Sequence, residues 1–82
     1  MKWLLFFPHD GSYAGEVNSE IGIKRKAAEL ILKDEKRYKQ ITLEPEGEGT
    51  MIASWGGTEV LVAQTERHPD VTWVAASTRR KK

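Results

Sequence analysis

The chain has 82 residues, which suits one small domain and leaves little room for a second. Hydrophobic residues make up 39% and charged residues 30% of the sequence, a balance that is typical of globular domains and excludes the disordered and membrane-embedded classes. Thirteen Lys and Arg side chains against twelve Asp and Glu give a net charge of +1, so the chain is neither an acidic mimic of nucleic acid nor a strongly basic DNA-coating protein.

The first apolar run extends from Trp3 to Phe7 and is followed by Pro8, His9 and Asp10. No small-residue cleavage site follows it, so we expect a strand and not an export signal. Because consecutive positions are apolar, both faces of this strand should be buried, as in the centre of a sheet. No segment approaches the roughly 20 apolar residues of a membrane span, and the chain has no cysteine. We therefore expect a cytoplasmic location.

A helix is predicted from about Glu20 to about Arg37, with Asn18 or Ser19 as its N-cap. At about 100° per residue, one apolar stripe should face the sheet. Its members are Ile23, Ala27, Leu30 and Ile31. Asp34 also falls on this stripe, which indicates that the helix frays or ends near it. A contrasting polar arc carries five cations and one acid, namely Arg25, Lys26, Glu29, Lys33, Lys36 and Arg37.

A second apolar stripe lies about 160° from the first on the same helix, and it consists of Ile21, Ala28 and Leu32. A helix that packs on one sheet needs only one apolar stripe. Either Ile21 precedes the helix and Leu32 is an isolated surface leucine, or these residues belong to a contact site.

The other apolar segments alternate as strands do. Strands are predicted over residues 39–44, 50–55, 58–64 and 71–76. After the Asp10-Gly11 turn, the chain either forms a further short strand near Tyr13–Val17 or continues as a loop to the helix.

Gly56-Gly57 predicts a hairpin with a type I′ turn, because both central positions of that turn need positive φ. The register that follows places Ala53 opposite Val60 on the more apolar face, which should lie under the helix. Ile52 then lies opposite Leu61 on the other, mixed face.

We therefore expect an α+β fold in which a single helix packs on one face of a mostly antiparallel sheet of four or five strands. Residues 1–78 form this single domain and residues 79–82 form a basic tail. One helix shields one face, so the other face should meet solvent or a partner. A protein partner is predicted to contact the open face, with Leu32 and the basic arc as a second surface. The residues predicted for this contact are Leu32, Ile52, Leu61 and Trp73.

Nucleic acid is the alternative partner, because a basic helix face can follow phosphates and a basic tail adds affinity without sequence choice. The residues predicted for this role are Lys24, Arg25, Lys26, Lys33, Lys36, Arg37, Arg79, Arg80, Lys81 and Lys82. A solvated charged face is the simpler interpretation of the same pattern.

No residue pattern predicts catalysis, a metal site or a cofactor. His9-Asp10 and His68-Pro69-Asp70 lie in predicted loops without metal-ligand spacing, so we expect the aspartates to cap turns and the histidines to be solvated. The alternating acids of the loop at residues 44–49 lack the full pattern of a calcium-binding loop, so we expect a solvated acidic loop. We expect no enzymatic activity.

The segment "ITLEPEGEGTMIASWGGTEVLVA" and the closing "VTW", which follow one short strand and one helix, resemble small phage-encoded accessory proteins. Some of these are anti-CRISPR proteins or inhibitors of host RNA polymerase. The resemblance implies a non-catalytic protein that blocks a larger host machine by surface contact. The matching positions are strand residues and Gly-Gly turns, so the resemblance transfers no functional residue.

The leading hypothesis is thus a non-enzymatic binding module that contacts a protein partner, either as a monomer or as a homodimer. We expect it to use no cofactor and to have no membrane partner. Direct nucleic-acid binding through the basic helix face and tail is the alternative.

Overall fold

The computed structural model describes residues 2–47 and 49–65. Five strands and a broken helical segment follow one another along this part of the chain. They are β1 (Trp3–Phe6), β2 (Tyr13–Val17), α1 (Glu20–Ala27), a π-helical turn (Ala28–Leu32), a 3₁₀ helix (Glu35–Gln40), β3 (Thr42–Gly47), β4 (Thr50–Trp55) and β5 (Thr58–Thr65). The predicted strand over residues 71–76 and the basic tail lie outside the described residues.

The strands form one antiparallel sheet in the order β2-β1-β5-β4-β3. The helical residues pack on one face of it, so the predicted α+β fold is confirmed. As expected from its apolar run, β1 is an internal strand, flanked by β2 and β5. The segment after Asp10-Gly11 is a strand and not a loop, and Tyr13 pairs with Phe6.

The helix begins as predicted and ends earlier than predicted. Ser19 is the N-cap, and its Oγ accepts a hydrogen bond of 3.0 Å from the Gly22 N–H. The chain leaves helical geometry at Lys33, which has a left-handed φ of 60°. Asp34 then caps a separate 3₁₀ helix by accepting a 3.0 Å hydrogen bond from the Lys36 N–H. The predicted extension of the helix to Arg37 is therefore wrong, whereas the predicted end near Asp34 is confirmed, because Asp34 starts a new turn.

The π-helical turn over Ala28–Leu32 changes which side chains reach the core. Ala28 is fully buried, and Leu30, Ile31 and Leu32 all pack partly buried against the same cluster. A π turn is wider than an α turn, so it rotates the residues that follow relative to the helix before it. The two predicted apolar stripes therefore merge at this point.

The hairpin between β4 and β5 turns at Gly56-Gly57, as predicted. Both glycines have positive φ, at 58° and 83°. Trp55 pairs with Thr58, and the pair formed by Ser54 and Glu59 follows it, in agreement with the predicted register.

Beyond these two pairs the predicted register is wrong by one residue. A β-bulge inserts Val60 into β5, so Ala53 pairs with Leu61 and Ile52 pairs with Val62. Because side chains alternate between the two faces, this shift moves Leu61 to the helix side and Val62 to the opposite side. The strand β3 is also displaced from its predicted range, because the 3₁₀ helix occupies residues 35–40.

The core lies mainly between the helical segment and the sheet. Its largest fully buried side chains include Leu5 from β1, Ile23 from α1 and Leu61 from β5. A second, smaller cluster on the other face consists of Phe6, Ile52, Val62 and the partly buried Leu4. Both faces of the central strands are thus apolar.

Ile23 and Ile21 allow a matched test of the helix orientation. Ile23 is fully buried, whereas Ile21 is 46% exposed. We expect Ile23→Val to lower the free energy of unfolding by about 0.5–1.5 kcal/mol, because it removes a buried methylene. Ile21→Val should change it by less than about 0.5 kcal/mol. Urea unfolding followed by circular dichroism measures both, and equal losses would contradict the orientation.

Gly56 allows a test of the turn geometry. Nothing lies within 4 Å of a Cβ built at this position, so any cost of substitution comes from the backbone. Gly56→Ala should lower the free energy of unfolding by about 1–2 kcal/mol, because φ is left-handed. Gly56→Asn should cost clearly less, because asparagine tolerates that region. The comparison uses the same unfolding experiment, and a larger loss for Asn than for Ala would refute this geometry.

Candidate functional site

The residues predicted for protein contact do not form one open surface. Ile52 lies on the sheet face away from the helix, as predicted, yet it is buried. Leu61 is fully buried and lies on the helix side of the sheet, because the bulge at Val60 shifts the register and places it on that face. Leu32 is half-buried against the helix-side core, and Trp73 lies outside the described residues.

The second helical stripe is divided by the π-helical turn. Ala28 and Leu32 turn towards the core, and Ile21 stays on the surface. Ile21 lies inside α1, in its first turn, so it does not precede the helix. Of the predicted stripe, therefore, Ile21 is the apolar side chain that a partner can reach.

Ile21 lies beside the basic residues of the helical segment. Arg25 follows Ile21 by four residues, so their side chains are neighbours on the surface of α1. The guanidinium of Arg25 stands 5.2 Å from the ring centroid of Tyr38, which belongs to the 3₁₀ helix. This cation–π contact joins the two helical pieces across the break.

The basic residues predicted for nucleic-acid contact are on the surface wherever the structure describes them. Arg25, Lys33, Lys36 and Arg37 are exposed, and Lys24 and Lys26 are partly exposed. We define the helical surface as these side chains together with their apolar neighbours: Ile21, Lys24, Arg25, Lys26, Lys33, Lys36, Arg37 and Tyr38. The tail cations at positions 79–82 lie outside the described residues.

Charge is strongly segregated along the chain. Residues 20–40 carry seven Lys and Arg and four Asp and Glu, whereas residues 41–66 carry five acids and no Lys or Arg. The helical layer is therefore basic, and the segment that forms β3, β4 and β5 carries a net negative charge. Acids still interrupt the basic surface: Lys26 Nζ lies 3.8 Å from Glu29 Oε1. Exposed pairs of this kind contribute little to stability.

The loop at His9-Asp10 has a structural role. Asp10 Oδ1 accepts a 2.9 Å hydrogen bond from the Ser12 N–H, which confirms that Asp10 caps the turn. This hydrogen bond is the main cause that lowers the pKa of the Asp10 carboxyl below its ordinary value. Among the residues that the structure describes, no group of three His, Asp or Glu side chains could hold a metal ion. His68 and Asp70 are not described.

The acidic stretch around Glu44 is a strand and not the predicted loop. β3 continues through Glu44, Pro45 and Glu46 to Gly47, paired with β4. Leu43 packs against the helix-side core, so Thr42 and Glu44 point to the opposite face. Alternation in a strand does not gather carboxylates around one point. Pro45 has no N–H, so it cannot donate a ladder hydrogen bond at this outer edge of the sheet.

Two aromatic side chains outside the predicted contact residues are exposed, and of these Trp55 was not expected on the surface. Tyr13 is 57% exposed at the start of the edge strand β2, and its ring meets Phe6 edge-on with centroids 5.9 Å apart. Trp55 is 39% exposed beside the Gly-Gly turn. Its position next to a tight turn was the available signal, because residues at hairpin tips have few neighbours above them.

Comparison of the chain with protein-family models, with curated proteins and with solved structures finds no match. None of the described helices is long and apolar enough to cross a membrane.

The contact between Arg25 and Tyr38 can be measured by a double-mutant cycle. Arg25→Met and Tyr38→Leu, alone and together, should give a coupling of about 0.5–1 kcal/mol in the free energy of unfolding. Tyr38→Phe is the control, since it keeps the ring, and it should retain most of the coupling. Additive effects of the first two changes would show that the stacked geometry contributes nothing.

Proposed function

We propose that the protein is a non-enzymatic binding module that contacts a protein partner through the helical surface. One observation carries this proposal: the exposed Ile21 lies one helical turn from Arg25, which is held against Tyr38. An apolar residue beside an ordered arginine and an aromatic ring is the composition typical of the centre of protein interfaces. The stacked guanidinium also loses less side-chain entropy when a partner binds.

The partner surface should be acidic. The helical segment has an excess of three cations over acids, and complementary charge accelerates association and excludes wrong partners. The remaining cations of the surface would then form a polar rim around Ile21 and Arg25. The resemblance to phage accessory proteins supports the same kind of activity, in which a small protein blocks a larger host machine by surface contact.

Nucleic-acid binding is the second candidate, and the exposure of Arg25, Lys33, Lys36 and Arg37 favours it. Two features weigh against it. The helical segment also carries four acids, which would repel phosphates. Arg25 is already stacked on a ring of its own chain, so it offers a fixed surface and not a mobile phosphate ligand.

Two variants that introduce a carboxylate test the helical surface. Ile21→Glu and Arg25→Glu should each reduce binding to a captured partner by at least about tenfold, because each places a carboxylate at the proposed centre of contact. The measurement is recovery from a nuclease-treated bacterial lysate on immobilised protein, followed by titration with the purified partner. Trp55→Ser is the matched control: it removes an exposed aromatic residue outside the helical surface and should leave binding unchanged.

The outcome also separates the two candidates. If capture requires nucleic acid, nuclease treatment abolishes it, and direct binding to random single- and double-stranded DNA weakens steeply as salt rises. That result would replace the protein partner by nucleic acid. Retention of a protein partner by both variants of the helical surface, with folding intact, would refute the proposed surface.

A further inference from the structure

The sheet face opposite the helical segment is more completely buried than the described residues explain. We call it the rear face, defined by Phe6, Ile52 and Val62. These side chains are 7%, 3% and 0% exposed. Within residues 2–47 and 49–65, the cluster that contains them has strand residues only, with Leu4 as its partly buried neighbour. The buried helical residues belong to the other cluster.

When nothing packs on one face of a sheet, the side chains on that face stay partly exposed to solvent. Full burial of Val62 therefore requires a covering layer. We propose that the segment after β5, residues 66–82, covers the rear face, and that its apolar run over residues 71–76 packs on Phe6, Ile52 and Val62. This assigns Trp73 to an intramolecular contact and not to a partner.

The topology restricts where this segment can go. β5 is hydrogen-bonded to β1 on one side and to β4 on the other, so the chain cannot add a strand next to β5. The Thr65 N–H donates a 3.0 Å hydrogen bond to the Gly49 carbonyl, which holds the end of β5 in the middle of the sheet. The helical segment already occupies one face. The rear face is the side of the sheet that the described helical residues do not cover.

The length and composition of residues 66–82 are also compatible with packing on the rear face. The chain continues for 17 residues after Thr65, which at about 3.3 Å per residue is enough to return across the sheet. The turn-forming Pro69-Asp70 precedes the run "VTWVAA". Three residues separate Thr65 from Val62, or about 10 Å along the strand, so a short reversal brings the run over the rear face.

Charge selects this segment over a second copy of the chain. Acids border the rear face: Glu44 lies opposite Ile52, and Glu16, whose carboxylate pairs with Lys2 Nζ at 3.3 Å, lies opposite Leu4. The tail carries Arg79, Arg80, Lys81 and Lys82, which complement these acids. In a two-fold dimer through the rear face, the same acidic rims would meet each other, and like charges repel.

The chain contains no cysteine, so introduced pairs can be crosslinked without interference. The test variant combines Glu44→Cys, at the rim of the rear face, with Ser77→Cys, just after the apolar run. The matched control combines Lys36→Cys, on the exposed 3₁₀ helix, with Ser77→Cys. A short bis-maleimide is added at low protein concentration, and crosslinks within one chain are counted by mass spectrometry after proteolysis.

We expect the test pair to crosslink within one chain at least about tenfold more efficiently than the control pair, because docking raises the effective concentration of Ser77 near Glu44. An undocked segment of this length reaches both positions, so similar efficiencies would overturn the proposal. Failure of both pairs to crosslink would overturn it as well. Circular dichroism verifies folding, and Thr42→Cys on the same strand and face replaces Glu44→Cys if that variant does not fold.

A mixture of two single-cysteine proteins, one with Glu44→Cys and one with Ser77→Cys, shows whether the covering segment comes from the same chain or from a second copy. We expect no crosslinked dimer from the mixture at low concentration. If crosslinks between chains dominate, the segment or the face of a second copy provides the cover, and the intramolecular assignment is wrong.

Discussion

The central position of β5 determines most of this structure. The strand lies between β1 and β4, and its run Val60–Ala63 is apolar at every position. Such a strand has no face that favours water, so each of its faces needs a covering layer. Leu61 and Ala63 face the helical segment, and Val62 faces the opposite side. A domain of this size cannot leave either face of β5 exposed to solvent, because its total stability is small.

The helical segment covers its side of the sheet only because it is broken. A regular helix through residues 20–37 would have turned Leu32 away from the sheet. The π-helical turn brings Leu32 towards the core, and the left-handed Lys33 then redirects the chain into the 3₁₀ helix. Ile21 and Arg25 precede this turn, in the regular part of the helix, and both are exposed there. The exposed patch around these two residues is thus set by α1 before the break.

Local chemistry predicted the features that depend on a few neighbouring residues. Ser19 caps the helix and Gly56-Gly57 turns the hairpin, because a hydroxyl at a helix start and positive φ in a tight turn are local requirements. The bulge at Val60 could not be predicted in this way. Four consecutive apolar residues fit either register, and the choice depends on which one fills the space under the helix. For the site, the face of Ile52 was predictable from alternation, whereas its burial was not, since alternation does not reveal what lies above a face.

The division of charge along the chain connects the two faces with function. Residues 20–40 are basic and residues 41–66 are acidic, although the net charge of the whole chain is only +1. A basic tail that packs on the acidic side of the sheet would be neutralised there, and the helical surface would be left as the one concentrated positive region among the described residues. An acidic partner would then meet a single attractive surface, so charge alone would orient the encounter. The proposed cover of the rear face and the proposed recognition by the helical surface would then be separate consequences of the same asymmetric sequence.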